Sequence, residues 1–473
     1  MTPLWQLDAS ALGQAYRAGD TTPFQVVQAH LERLGQVQPA LQAMAWVDAE
    51  GALQAAAASS ARWRDGTPVS ALDGVPITVK DNIPVAGMPC RWGSRLFADH
   101  VPVQDESPVA RLRAGGAVIL GKTAVPEFTL QGYTQSPLTG TTRNPWDLAL
   151  TPGGSSGGAV AALAAGVGAL AIGTDGGGSI RRPAGFTGLF GFKPGLGVVP
   201  REGGLPEVLP DMEVIGLIAR SARDLPLVMT LLAGSPAVDW TTEVATPPAL
   251  RIAYWPDVAG SPVDPRVSEV CDAAADQWRA LGASVAAVDA PMEIQAFNQR
   301  AWPVISTTGL AAVLKDCTNL DALTPALADM LCAGRSWRGT DLFEAQARVR
   351  ALRGALDAVF RDFDLLITPT SAAMPWPATM PCPDTIDGQT VDGRGHAVFT
   401  AFANAAGLPA VAVPAGWAAH LPVGLQLVGP RGSDARLLAL AALWERSLPA
   451  RPWPMLAIEP AQLHQRPIEC QSP

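Results

Sequence analysis

Apolar positions recur with two spacings along the chain. Thr22 followed by Pro23 predicts a helix start, and Phe24, Val27, Leu31 and Leu34 then return at helical spacing as its apolar face. After Gly74, the run VPITVK ends a β-branched stretch on a polar residue, which predicts a buried strand delivering Lys80 at its end. Ala117 to Leu120 (AVIL) predicts a second buried strand. Ala159 to Gly173 (AVAALAAGVGALAIG) is the most apolar stretch, but its 15 residues fall short of the roughly 20 needed to cross a bilayer. It reads as a buried helix running into a strand.

Further along, Arg251 to Trp255 (RIAYW) predicts a strand, Pro265 to Leu281 an amphipathic helix and Ala283 to Val288 a strand, together a βαβ unit. Gln299 to Asp362 is patterned as largely helical, and Asp364 to Pro369 (DLLITP) and Ala410 to Pro414 (AVAVP) return to buried strands. Length alone suggests about three domains. No internal repeat and no Ser/Gly or charged linker divides the alternation, however, so one α/β domain over 1–473 is the expectation.

Composition narrows the function. With 48% hydrophobic and 16% charged residues the chain must bury a large core, and 46 Gly with 43 Pro make it turn-rich. A net charge of −9 without any basic block argues against nucleic-acid and anionic-membrane partners and favours a small-molecule ligand. The six cysteines (Cys90, Cys271, Cys317, Cys332, Cys382, Cys470) are dispersed with no zinc-type spacing, which suggests reduced thiols. Met1 to Ser10 shows no basic segment followed by an apolar one, and a cytoplasmic location is expected.

The five histidines (His30, His100, His396, His420, His464) stand in no catalytic pattern, and His396 and His420 read as surface residues. There is no GxSxG, HExxH or phosphate-loop motif, so serine and lysine are the groups to weigh. Ser155 and Ser156 lie in GGSSGG, and Ser179 follows three glycines in TDGGGSIRRP. Consecutive amides free of Cβ atoms can converge on an oxyanion, where one donor is worth about 3 kcal/mol. Gly176, Gly177, Gly178 and Ser179 suit that role, although such loops also make tight turns.

In combination, GVPITVKDN (74–82), TPGGSSGGAVAALAAG (151–166) and GTDGGGSIRRPAGFTGLFGFKP (173–194) closely resemble the three defining segments of the amidase signature family. GKTAVPEF, GTTRNPW, DLLITPT, GLPAVAVPAG and PVGLQLVGP extend the resemblance over nearly the whole chain, most weakly between about 200 and 360. It implies a large mixed, twisted β-sheet surrounded by α-helices, with an N-terminal helical layer (1–70), a core carrying the catalytic residues (71–200), a variable specificity region (201–360) and a C-terminal part of the core (361–473). It also implies hydrolysis of an amide-type C–N bond without metal or organic cofactor. Ser179 would be the acylated nucleophile, Ser155 the bridging serine after a cis Gly154–Ser155 bond, and Lys80 the base. Burial at a strand end is the physical means of lowering a lysine pKa toward neutrality.

Asp175 and Arg181 read as an ion pair bracing the glycine turn, and Ser156 as a hydrogen-bonded support within its loop. Arg182 is a candidate for a substrate carboxylate, against the alternative of a loop-bound arginine. Thr129 to Gln131 correspond to the family's acyl-pocket loop, which makes Thr129 and Gln131 substrate-binding candidates. Trp302, Trp337 and Trp376 are candidate pocket walls or core, and Cys317 reads as a small buried hydrophobe.

The alternative substrate is glutamine, hydrolysed as the glutaminase component of a tRNA-dependent amidotransferase. After the KP segment, GLGVVPREGGLPEVLPDME departs from the tyrosine-containing stretch of that component. A silent binding scaffold and a Ser-His-Asp esterase are the readings from other classes. A homodimer is left open.

Overall fold

Thr22 caps the helix Pro23–Leu41: its hydroxyl accepts the Gln25 N–H at 3.3 Å, while the Gln25 side chain accepts the Thr22 N–H at 3.0 Å. In the computed structural model, which describes residues 2–233, 238–240 and 249–456, this helix buries Val26, Val27, His30, Leu34, Val37 and Leu41. Phe24, expected on that face, is 40% exposed. At about 100° per residue it lies about 110° from the centre of the buried stripe. His464 and Cys470 lie outside the described residues.

The core is one sheet of eleven strands: β1 Met44–Val47, β2 Pro76–Lys80, β3 Val118–Thr123, β4 Leu170–Asp175, β5 Phe190–Lys193, β6 Val214–Ala219, β7 Arg251–Tyr254, β8 Ser284–Ala287, β9 Leu365–Pro369, β10 Ala410–Ala418 and β11 Leu421–Val428. Their spatial order is β1-β3-β2-β4-β6-β5-β10-β11-β9-β7-β8. The sheet is mixed. β3, β2 and β4 run parallel, as do β9, β7 and β8, while β4–β6, β6–β5, β5–β10, β10–β11 and β11–β9 are antiparallel.

The strands read as unbroken apolar runs because helices cover both faces. In β9, Leu365 and Ile367 enter one core cluster while Leu366 enters the other. The expected βαβ unit is present: β7 and β8 are parallel neighbours, joined by the helix Pro265–Ala280. That helix carries Trp278, which stacks on Trp444 of the helix Asp434–Arg446 with ring centroids 5.2 Å apart. The segment patterned as helical forms the helices Trp302–Val313, Pro325–Ser336 and Gly339–Asp362.

Ala159 to Gly173 resolves into the helix Gly157–Ala164 followed by β4. Among the described residues no helix is long and apolar enough to cross a membrane. The site depends on one piece of this topology. Val79 of β2 pairs with Ile172 of β4, so the C-terminal ends of two parallel strands, carrying Lys80 and Thr174, lie side by side.

Candidate active site

Lys80 is wholly buried at the end of β2. Its Nζ donates to Ser155 Oγ at 2.8 Å, to Thr174 Oγ1 at 2.9 Å and to the Thr174 carbonyl at 3.1 Å. Asn82 Nδ2 donates to the same Thr174 hydroxyl at 3.0 Å. Burial lowers the Lys80 pKa from 10.5 to about 7, a fall opposed by the Glu213 and Asp175 carboxylates and reinforced by Arg201. Protonated, the nitrogen donates to all three; neutral, it keeps two N–H groups for Thr174 and turns its lone pair to the Ser155 hydroxyl.

Ser155 follows a cis Gly154–Ser155 bond. A Cβ on Gly154 would come within 2.5 Å of the Tyr133 carbonyl oxygen, so the loop passes where no side chain fits. Ser156 ties this loop to the next: its N–H donates to the Ser179 carbonyl at 3.1 Å and its hydroxyl to the Thr174 carbonyl at 3.3 Å.

Ser179 closes a turn held from beneath by Asp175, at the end of β4. The Asp175 carboxylate accepts the N–H of Gly178 at 2.7 Å and of Ile180 at 3.0 Å, and pairs with Arg181 through Nη2 at 2.8 Å and Nε at 3.0 Å. Burial alone would raise its pKa, but the charge and hydrogen bonds of Arg181 hold it well below the usual carboxylate range. Arg181 also reaches the Thr400 carbonyl, Gln426 and Asn404, all buried. The Asp175–Arg181 pair thus connects the turn to Thr400, Asn404 and Gln426.

One member of the expected oxyanion set falls away. With its N–H engaged by Asp175 and φ at +110°, Gly178 shapes the turn, and its amide does not face the cavity. Gly176, Gly177 and Ser179 do line it, in a cavity of about 270 Å³. Thr129 and Gln131 line the same cavity, and Thr129 sits at φ +58° immediately after Phe128 at φ +52°. Trp302 forms a wall against the turn, since a Cβ on Gly177 would lie 2.5 Å from its ring. Trp337 and Trp376 do not line this cavity. Trp337 is 40% exposed and donates to Thr307, while Trp376 packs against Phe186 and His396. Cys317 is half-exposed, not buried, and its thiol is directed at the Asn319 carbonyl.

Arg182 lines the cavity with most of its hydrogen-bonding capacity already engaged. Nη1 donates to the Gly177 carbonyl and to Thr400 Oγ1, and Nη2 to the Gly154 carbonyl at 3.4 Å. It links the two serine loops. His396 overturns its surface assignment, being 3% exposed with its ring 4.7 Å from that of Trp376. The loop carrying it folds inward between Trp376 and Gly132, whose missing side chain makes room for the imidazole. Burial, then the charges of Arg182 and Arg394, push its pKa well below 6.5, so the ring is neutral. His420 is exposed near Asp147, as expected.

Thr174, Asn82, Glu213 and Arg394 belong to the site without having been picked out in the sequence. The first two had a usable signal, since each lies within a quoted motif, Thr174 directly before Asp175 in GTDGGG and Asn82 two residues after Lys80 in VKDN. Among the described residues, no cluster of His, Cys, Asp and Glu could hold a metal ion, and the five cysteines are unpaired.

The arrangement is a buried lysine bonded to Ser155, whose loop is tied through Ser156 to Ser179 on a glycine turn. The Amidase family model matches residues 25–438. The chain belongs to the amidase signature family, whose members hydrolyse amide-type C–N bonds. It is 36% identical over 464 residues to a glutamyl-tRNA(Gln) amidotransferase component of Thermus thermophilus, covering 91% of this chain and 94% of the relative. The corresponding component in Symbiobacterium thermophilum is 34% identical over 478 residues, covering 93% and 96%. Among solved structures, a bacterial aryl acylamidase of the same family superposes with a TM-score of 0.87 at 28% identity, covering 94% of this chain and 97% of the other.

Proposed function

We propose that this chain hydrolyses small amides through an acyl-enzyme on Ser179. Neutral Lys80 accepts the Ser155 proton as Ser155 accepts that of Ser179, and Ser179 Oγ bonds to the amide carbonyl carbon. The oxyanion forms against the amides of Gly176, Gly177 and Ser179. Ser155 returns a proton to the nitrogen, the C–N bond breaks and the amine leaves. Water then attacks the ester by the reverse proton path, which releases the acid and restores Ser179. The observation that carries this reading is the 2.8 Å contact of Lys80 Nζ with Ser155 Oγ at a wholly buried site.

A second reading has support of its own. The curated relatives carry the name of an amidotransferase component, which favours glutamine as the amide and an ammonia-accepting partner over a free-standing amidase. Incubating the isolated chain with glutamine, aliphatic primary amides and anilides, and measuring ammonia or amine release, separates the two. Turnover of anilides or simple amides supports a free-standing amidase. Release from glutamine alone supports the amidotransferase component, and no release from any amide overturns hydrolysis by the isolated chain.

A further inference from the structure

The cavity beside Ser179 has an unbalanced wall. Four side chains with titratable or permanent charge line it: Arg182, Glu213, Arg394 and His396. Glu213 is engaged by Arg201, whose Nη1 lies 2.7 Å from its Oε1 and whose Nε also pairs with buried Glu106. His396 is uncharged. Neither Arg182 nor Arg394 forms an ion pair with a carboxylate among the described residues, so two guanidinium groups without a carboxylate partner face one small cavity. Uncompensated charge at a partly desolvated site is costly, and an anion entering the cavity relieves it.

Of the two arginines, Arg394 is the less engaged. Both Nη atoms of Arg182 are tied, to Gly177, Thr400 and Gly154, and only its Nε is buried without a partner. The Arg394 guanidinium lies 4.1 Å from the centroid of the Trp302 ring, a cation–π contact, and its Nη2 is buried without a hydrogen-bond acceptor. Both ring nitrogens of neighbouring His396 are likewise without partners. The benzo edge of the same Trp302 ring abuts Gly177 of the glycine turn. The guanidinium and the turn beside Ser179 thus share one indole.

We infer that the substrate is a short amide whose acyl part ends in a carboxylate, and that Arg394, set against Trp302 and beside His396, binds that carboxylate. The inference rests on the hydrolase reading above and adds the chemistry of the substrate's non-reacting end. The cavity volume of about 270 Å³ suits a chain of a few carbons, and a charge-assisted contact made in a small desolvated site is the kind that discriminates strongly.

The test compares amides that differ only in that end: succinamate against 4-methylpentanamide and glutaramate against 5-methylhexanamide, where an isopropyl group replaces the carboxylate. Wild-type enzyme should favour the carboxylate member of at least one pair in kcat/KM by about 10- to 100-fold. Arg394→Gln should bring that ratio close to one, and Arg394→Lys should retain part of it. Labelling of Ser179 by a fluorophosphonate in each protein is measured alongside. Labelled wild type with no carboxylate preference, or a preference that survives in labelled Arg394→Gln, overturns the inference while leaving the hydrolase reading intact. Should Arg394→Gln fail to label because it does not fold, an Arg394→Lys enzyme that labels and keeps the full wild-type ratio overturns it equally. If wild-type Ser179 does not react at all, the hydrolase reading falls and this inference with it.

Discussion

With Lys80 as the proposed base, catalysis depends on pH in a calculable way. At its ordinary pKa of 10.5, about 0.03% of the lysine would be neutral at pH 7. With burial lowering the pKa to about 7, about half is neutral, a gain of roughly 1,500-fold in available base. Because the protonated form is inactive, reaction should rise about tenfold per pH unit on the acid side, turn over near pH 7 and level above it. At pH 5 it should run about 100-fold below the plateau. The rate at which a fluorophosphonate acquires the Ser179 oxygen follows this without knowledge of the natural substrate. Lys80→Met keeps the length of the side chain and removes the base, and should slow labelling by about 10²- to 10⁴-fold at pH 8. A flat profile between pH 5 and 9, or a folded Lys80→Met protein that labels normally, would refute the role given to this residue.

Three further outcomes follow from the same geometry. Asp175→Asn removes the charge that neutralises wholly buried Arg181 and should cost about 3–5 kcal/mol of stability by chemical denaturation, whereas a loss below about 1 kcal/mol would show that the brace is not needed. Lys80 and Lys193 both have pKa values lowered by burial to about 7, against about 10.5 when unfolded, so unfolding takes up protons between those values. Stability should rise from pH 7 to pH 9, read as an increasing Tm, and a Tm that falls over this interval would contradict buried neutral lysines. Thr174→Val removes a hydroxyl that accepts from Lys80 and Asn82, and should slow Ser179 labelling with little change in fold, as seen by circular dichroism. Unchanged labelling would show that Thr174 does not help position the amine.

The individual strands were legible because burial on both faces leaves a plain mark. VPITVK and DLLITP are runs that only a covered strand tolerates, and they became β2 and β9. Their neighbours were not legible. β4 pairs with β6 across an intervening strand of sequence, and β10, besides its hairpin partner β11, pairs with the distant β5, pairings set by long-range packing that no local pattern records. Ser155 and Ser179 stood out because glycine-rich turns are rare in apolar surroundings, and the same pattern overstated Gly178, whose amide goes to Asp175. Arg394 was passed over and His396 was read as a surface residue for the opposite reason. They lie in VDGRGHAV, a short polar loop with the composition of a surface turn, and only the covering Trp302 and Trp376 turn it inward.

The most direct measurement of the central claim is the intact mass of the wild-type protein and of Ser179→Ala after treatment with a serine-reactive fluorophosphonate. A single adduct on the wild type that is absent from Ser179→Ala is the predicted result, and would show one activated serine at the glycine turn. An equal adduct on both proteins would place the reactive serine elsewhere, and no adduct on either would contradict an assembled Lys80–Ser155–Ser179 relay.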